Sequence, residues 1–254
     1  MPELDGQIAI VTGASRGIGK GLALGLAAAG ASVVCAARTM VDGEHELPGT
    51  VTATVDEIRA AGGEALAVRC DIGNAGDITS MVSATTDAYG RIDVLVNNAM
   101  TPTRGLFAES SIDDWDQSMR INVRSLFLTA HAVVPIMAAT GGGSIINISS
   151  GAADSNVAGM PPGYLIYSVA KAALERFSAA LAVEVADRGI AVNALRPGAV
   201  KTEHSTHELG EDFDWTGWET PAAVVPAVNY LAAQRGDGFT GRIVDSTQYG
   251  TVWP

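Results

Sequence analysis

Short, unbroken apolar runs alternate along the chain with longer segments in which apolar residues recur every three or four positions. Residues 8–11 (Ile-Ala-Ile-Val), 32–37, 65–68, 92–96, 144–148 and 190–195 are the short runs. Continuous apolar character over so few residues predicts strands of a parallel sheet covered on both faces. The intervening segments predict helices from the first glycine-rich turn to about Gly30, then over 51–61, 77–89, 115–139, a stretch running to about Asp187, and 222–233. Gly62-Gly63, Gly90 and Gly141-Gly142-Gly143 punctuate three of them. A last strand is expected over 241–244.

Strand–helix alternation with right-handed crossovers gives an α/β fold: a single-domain, Rossmann-like, doubly wound parallel sheet of about seven strands with helices on both faces. Its ligand crevice is expected at the carboxyl ends of the strands, and no domain boundary interrupts residues 1–254. Two segments exceed ordinary loop length, 39–50 and 202–220, and loops of that size in compact domains commonly carry function. The second is expected to be a substrate-binding loop or lid.

Composition narrows the partners. The 254 residues carry a formal charge of −12, which disfavours nucleic acid and anionic membrane surfaces. No stretch approaches 18 uninterrupted apolar residues, and the opening Met1-Pro2-Glu3-Leu4-Asp5 lacks a basic and then apolar leader, so neither a spanning helix nor a signal peptide is expected. Cys35 and Cys70 both lie in apolar runs and read as buried thiols, which fits a cytoplasmic protein. His204 and His207 have no third ligand nearby in sequence, so no metal site is expected.

Chemistry begins at Thr12-Gly13-Ala14-Ser15-Arg16-Gly17-Ile18-Gly19, between the first strand and the first helix. Glycines allow a tight turn and let a pyrophosphate approach the backbone, while the helix N-terminus stabilises its charge. An acidic residue at the end of the second strand would bind an adenosine ribose diol. Ala37-Arg38 stands there instead, with Arg16 nearby, which favours NADP(H) over NAD(H). Tyr167 and Lys171 lie four apart in a helical segment and share a face. A cation there is expected to lower the tyrosine pKa toward a useful range for proton transfer.

The glycine turn, Asp71, Asn97-Asn98-Ala99, Asn122, Ser149-Ser150, Tyr167-x-x-x-Lys171 and Arg196-Pro197-Gly198 occur in an order that resembles the classical short-chain dehydrogenase/reductase family. The resemblance spans essentially the full chain. It implies an oxidoreductase in which Tyr167 donates or accepts the proton, Ser150 rather than Ser149 polarises the substrate oxygen, Lys171 tunes the tyrosine and holds the nicotinamide ribose, and Asn122 anchors a relay water. The implied cofactor contacts are Gly13, Ser15, Arg16, Gly17, Ile18, Gly19, Ala37, Arg38, Asp71, Ile72, Asn98, Ala99, Tyr167, Lys171, Pro197, Gly198, Val200 and Thr202. A homotetramer or homodimer is also implied.

The chain departs from the family pattern at Met100, at a lengthened segment containing 159–163, and at Asp245-Ser246-Thr247, where paired glycines are common. Substrate choice is expected in 100–107, 152–164 and 202–218. Phe213, Trp215, Trp218, Met160 and Leu165 suggest a fairly hydrophobic small-molecule carbonyl or secondary alcohol. Two other readings are a catalytically silent dinucleotide-binding regulatory or scaffold protein and an acyl-thioester ketoreductase. The latter calls for a long channel and cationic docking residues, which this acidic sequence does not display.

Overall fold

A computed structural model describes residues 4–154 and 160–254. Met1–Glu3 of the opening segment and Gly159 of the 159–163 departure therefore lie outside the described residues. Seven parallel strands form one sheet in the order β3-β2-β1-β4-β5-β6-β7. The strands are β1 (Ile8–Thr12), β2 (Ser32–Ala37), β3 (Ala65–Arg69), β4 (Val94–Asn97), β5 (Gly143–Ile148), β6 (Ile190–Arg196) and β7 (Ile243–Asp245). Strand order reverses between β1 and β4, which is where an open α/β sheet forms its crevice.

The helices are α1 (Gly17–Ala28), α2 (Val51–Ala60), α3 (Ala75–Tyr89), α4 (Ile112–Met119), α5 (Ser125–Ala139), α6 (Leu165–Val185), α7 (Glu203–Leu209) and α8 (Val225–Ala232). The five inner strands are buried on both faces because two apolar clusters flank them. One joins α1, α2 and α8 to the sheet through Leu22, Leu26, Val55 and Val228. The other joins α3, α5 and α6 through Met81, Val133, Met137 and Val185.

Three local results differ from the sequence reading. The expected single helix over 115–139 is α4, a π turn at Arg120–Arg124, and α5. Together they form a continuous helical run, Ile112–Ala139, long and apolar enough to span a membrane but half buried within the protein. The expected loop at 202–220 instead begins with α7, started by a capping box in which the Thr202 hydroxyl accepts from the Ser205 N–H at 3.1 Å. Its outer limb contains a cluster of Phe213, Trp215 and Trp218, with ring centroids 5.0–5.7 Å apart. Lys201 Nζ lies 4.7 Å from the Trp215 ring centroid. These aromatics, expected to line a substrate pocket, pack against one another and a lysine.

Candidate active site

The glycine turn is shaped by steric limits. A Cβ on Gly19 would lie 2.1 Å from the Gly13 carbonyl oxygen and 2.4 Å from Asn98 Nδ2, so only glycine lets α1 come this close to the turn. Gly13 has φ +69° and Gly17 φ +55°, the left-handed region that glycine occupies without penalty. Thr12 Oγ1 accepts the N–H groups of Asn98 and Ala99 at 3.0 and 3.1 Å, and Asn98 Nδ2 donates to the Thr12 carbonyl at 2.9 Å. The Asn98 amide thus braces the turn from the end of β4.

A cradle that a Cβ would fill, opening on the first amides of a twelve-residue helix, fits a dinucleotide pyrophosphate. Ser15 and Ile18 belong to the same turn; Ala37 ends β2 with Arg38 after it, and Asp71 and Ile72 follow β3 on the same edge of the sheet. Asp71 Oδ1 accepts the Gly73 N–H at 2.9 Å, and this turns the chain into α3.

The two arginines of the adenosine end behave differently. Arg16 Nε donates to the Pro48 carbonyl at 2.8 Å, and its Nη2 donates to the Gly49 carbonyl at 2.8 Å. That side chain ties the 39–50 insertion to the glycine turn. Arg38 is exposed and makes no hydrogen bond or ion pair among the described residues. Of the pair, Arg38 is the guanidinium open to a ligand.

At the other end of the crevice, β5 and α6 bring the Ser150 hydroxyl near the Tyr167 phenol, close enough to act on its pKa. Ser149 turns the opposite way, donating to Glu175 Oε1 at 2.7 Å. The neighbouring serines are therefore separated by partner, and the one the family motif selects is the one at the phenol. Burial pushes the Tyr167 phenol above its ordinary pKa, while the nearby Ser150 hydroxyl and the Arg104 charge pull it back. The lowered value expected from the sequence is not found, because removal from water outweighs the stabilising contacts.

Lys171 lies one turn further along α6, nearly fully buried. Its ammonium donates to the Ile148 carbonyl at 2.7 Å and stands 5.6 Å from the Tyr167 ring centroid. Burial depresses its pKa to about 8, opposed by Glu175 one turn on. Glu175 is a residue the sequence reading missed. It receives Arg196 Nε at 2.7 Å and Arg196 Nη2 at 2.9 Å, a bidentate pair that clamps α6 to the end of β6. Its spacing from Tyr167 and Lys171, on the same buried helix face, was the available signal.

Asn122 lies within the π turn. Its Oδ1 accepts the Thr101 N–H at 2.9 Å, and its Nδ2 donates to the Thr101 carbonyl at 2.9 Å and to Ser118 Oγ at 3.1 Å. Both amide protons are used, so the side chain mainly fastens the helix to the loop after β4 rather than presenting a free donor to a water. A second buried network, also missed, joins strands and helices below the site. Asn97 donates to Asn147 at 2.8 Å, Asn147 donates to Ser178 at 2.8 Å, and Thr129 donates to Asn97 at 3.0 Å.

Above the site, Gly105 N–H donates to the Gly163 carbonyl at 3.0 Å, joining two of the expected substrate segments. Arg104 stacks 4.3 Å from the Tyr164 ring centroid and forms an ion pair with Glu208 of α7. Pro197 and Gly198 follow β6, and Val200 pairs with Glu219 at the base of the 202–218 segment. The Thr202 hydroxyl, expected at the cofactor, is engaged in capping α7. A cavity of about 960 Å³ lies between α1, Leu47-Pro48 and α7, and Tyr167 is not among its lining residues.

A family model described as short chain dehydrogenase matches residues 7–212. The 3-oxoacyl-(acyl-carrier-protein) reductase of Synechocystis sp. is 41% identical over 208 residues, covering 80% of this chain and 78% of its own. A short chain dehydrogenase from Burkholderia cenocepacia, solved in complex with NADP, superposes with a TM-score of 0.81 at 27% identity over 96% of this chain and 97% of that one. A 7α-hydroxysteroid dehydrogenase complexed with NADH and a 7-oxo bile acid gives a TM-score of 0.82 at 28% identity, over 96% and 93%. With the fold and the family model in agreement, the chain belongs to the short-chain dehydrogenase/reductase family of nicotinamide-dependent oxidoreductases that act on small molecules.

Proposed function

We propose that this protein is an NADP(H)-dependent oxidoreductase that interconverts a carbonyl and a secondary alcohol on a fairly hydrophobic small molecule. The observation that carries this reading is the meeting of Ser150 and Tyr167, with Lys171 one turn away, at the end of the sheet that also holds the glycine cradle. When bound, the nicotinamide supplies or accepts the hydride. The protein's own residues handle the oxygen. Hydroxyls of Ser150 and Tyr167 donate to it and stabilise negative charge as it builds. Tyr167 releases its proton to that oxygen in reduction and recovers it in oxidation. Lys171 places a cation near the phenolate left behind and is positioned to hold the nicotinamide ribose.

NADP(H) is preferred in this reading because Arg38 is exposed and unpaired among the described residues at the end of β2, where Ala37 stands in place of a carboxylate. Binding of NADPH and NADH to wild type and Arg38→Ala tests it. NADPH should bind the wild type more tightly and lose that advantage in the variant; tighter NADH binding by the wild type would refute the preference.

A second reading, an acyl-thioester ketoreductase, is favoured by the 41% identity to the Synechocystis enzyme, although the acidic sequence suggests no cationic docking surface. A panel of hydrophobic ketones beside a 3-oxoacyl thioester distinguishes the two by kcat/KM. The protein is further proposed to be cytoplasmic and to assemble as a dimer or tetramer, for which the exposed Phe127 and Val169 on α5 and α6 supply apolar contact surface. Sedimentation showing only monomer at working concentration would remove the assembly.

A further inference from the structure

The segment 202–218 is an excursion closed at its base. Lys201 N–H donates to the Glu219 carbonyl at 2.8 Å, and Glu219 N–H donates to the Ala199 carbonyl at 2.9 Å. From this base α7 reaches across the crevice, and two of its carboxylates contact the body. Glu208 pairs with Arg104 beside Tyr164, on the substrate side. Glu203 Oε2 accepts the N–H of Gly17, the first residue of α1, at 2.8 Å, on the cofactor side.

This second contact conflicts with the cradle's chemistry. The opening amides of α1 carry the partial positive charge of the helix dipole, and they are what a pyrophosphate would use. A carboxylate already on the first of them satisfies the donor and adds a negative charge where another anion has to come. One N–H cannot be given fully to both, and two anions at this separation repel. The α7 backbone adds to the effect, because Thr202 and Ser205 cap the helix and hold Glu203 in its first turn. Gly198 with φ +77° and Gly210 with φ +87° lie on either side of α7 and supply backbone freedom for it to move.

We propose that Glu203 is a built-in competitor for the dinucleotide's pyrophosphate, so that α7 must withdraw its carboxylate from Gly17 before the cofactor seats. The inference rests on the dinucleotide-binding reading above and adds a residue that sets cofactor uptake. It accounts for why a lid helix carries acidic side chains toward a site built to take an anion.

Tryptophan-fluorescence titration of the full chain with NADPH, and with adenosine as a phosphate-free probe, tests it in wild type, Glu203→Gln and Glu203→Ala. Both variants should bind NADPH about 3- to 10-fold more tightly, with most of the gain in association rate, while adenosine affinity stays unchanged. Unchanged or weaker NADPH binding by folded variants would overturn the proposal. An equal gain for adenosine would overturn it too, since the effect would then be general lid opening rather than competition with phosphate. If the wild type binds no dinucleotide, the functional reading fails and the inference with it. Binding by wild type with no gain in the variants defeats the inference alone.

Discussion

The floor of the site, made by β5, α6 and β6, and the 202–220 segment proposed as its lid face the same crevice but are held in place by different physics. The floor is dry. Lys171, Glu175 and Ser149 are buried, each satisfied by a short hydrogen bond, and Arg196 grips Glu175 with two nitrogens. The lid is wet. Its polar contacts with the body include the Glu203 and Glu208 carboxylates, and its aromatic cluster is partly exposed. Buried polar groups are costly to leave unpaired, so the floor is specified as a unit. Exposed ion pairs contribute little, so the lid can shift without disturbing the fold. Fixed proton chemistry and adjustable ligand entry are thereby assigned to different parts of the chain.

The sharpest way to break the comparison is to cut the floor. Glu175→Ala leaves the Ser149 hydroxyl without its partner and Arg196 with only the longer Asp154 contact at 3.4 Å, and a loss of about 2–4 kcal/mol in urea unfolding is expected, tempered by the partial exposure of Arg196. A loss below about 0.5 kcal/mol would show that the floor is not the rigid unit described. Ser150→Ala should lower kcat by about 10²- to 10³-fold with unfolding stability little changed, because the only backbone bond its hydroxyl oxygen makes among the described residues is to the Ala152 N–H, at 3.2 Å in a short, partly exposed turn. Ser149→Ala should reverse the pattern, costing about 1 kcal/mol of stability through the lost Glu175 bond.

Lys171 gives a pH test of how dry the floor is. Its folded pKa of about 8 lies below the ordinary 10.5, so between those values the unfolded chain holds the proton more tightly. The burial penalty is fully present below pH 8, and stability from this group rises with pH through that window. Cys35 and Cys70, both pushed up to about 12 by burial, act in the opposite sense above pH 9. The difference in unfolding free energy between wild type and Lys171→Met isolates the lysine. It should rise from pH 8 to 10.5, on the order of 3 kcal/mol in all, and a flat difference would mean the ammonium is well solvated. The smallest effect belongs to the lid, where Glu208→Gln should change stability by less than about 1 kcal/mol while altering KM for substrate.

Much of this arrangement was legible in the chain. The strands announced themselves because parallel strands buried on both faces need continuous apolar runs, and the glycine turn because close approach of α1 excludes any Cβ. Tyr167 and Lys171 were found by helical spacing. Glu175 was overlooked because an acidic residue in a helix is usually solvated, and only the tertiary position of Arg196 makes it a clamp. The π turn at Arg120–Arg124 left no mark, since widening a helix needs no special residue there. Helix α7 was hidden by its length and by a capping box closed with Ser205 rather than the usual Glu or Gln. Whether Lys171 lowers or burial raises the Tyr167 pKa could not be read from spacing, because spacing carries no measure of desolvation.

The most direct test of the central claim is NADPH absorbance during turnover of a carbonyl panel by wild type and Tyr167→Phe, with cofactor binding measured alongside. The account predicts hydride transfer to at least one hydrophobic carbonyl by the wild type and a loss of at least about 10²-fold in kcat for the variant, with NADPH affinity retained. Equal turnover by the two proteins would contradict it.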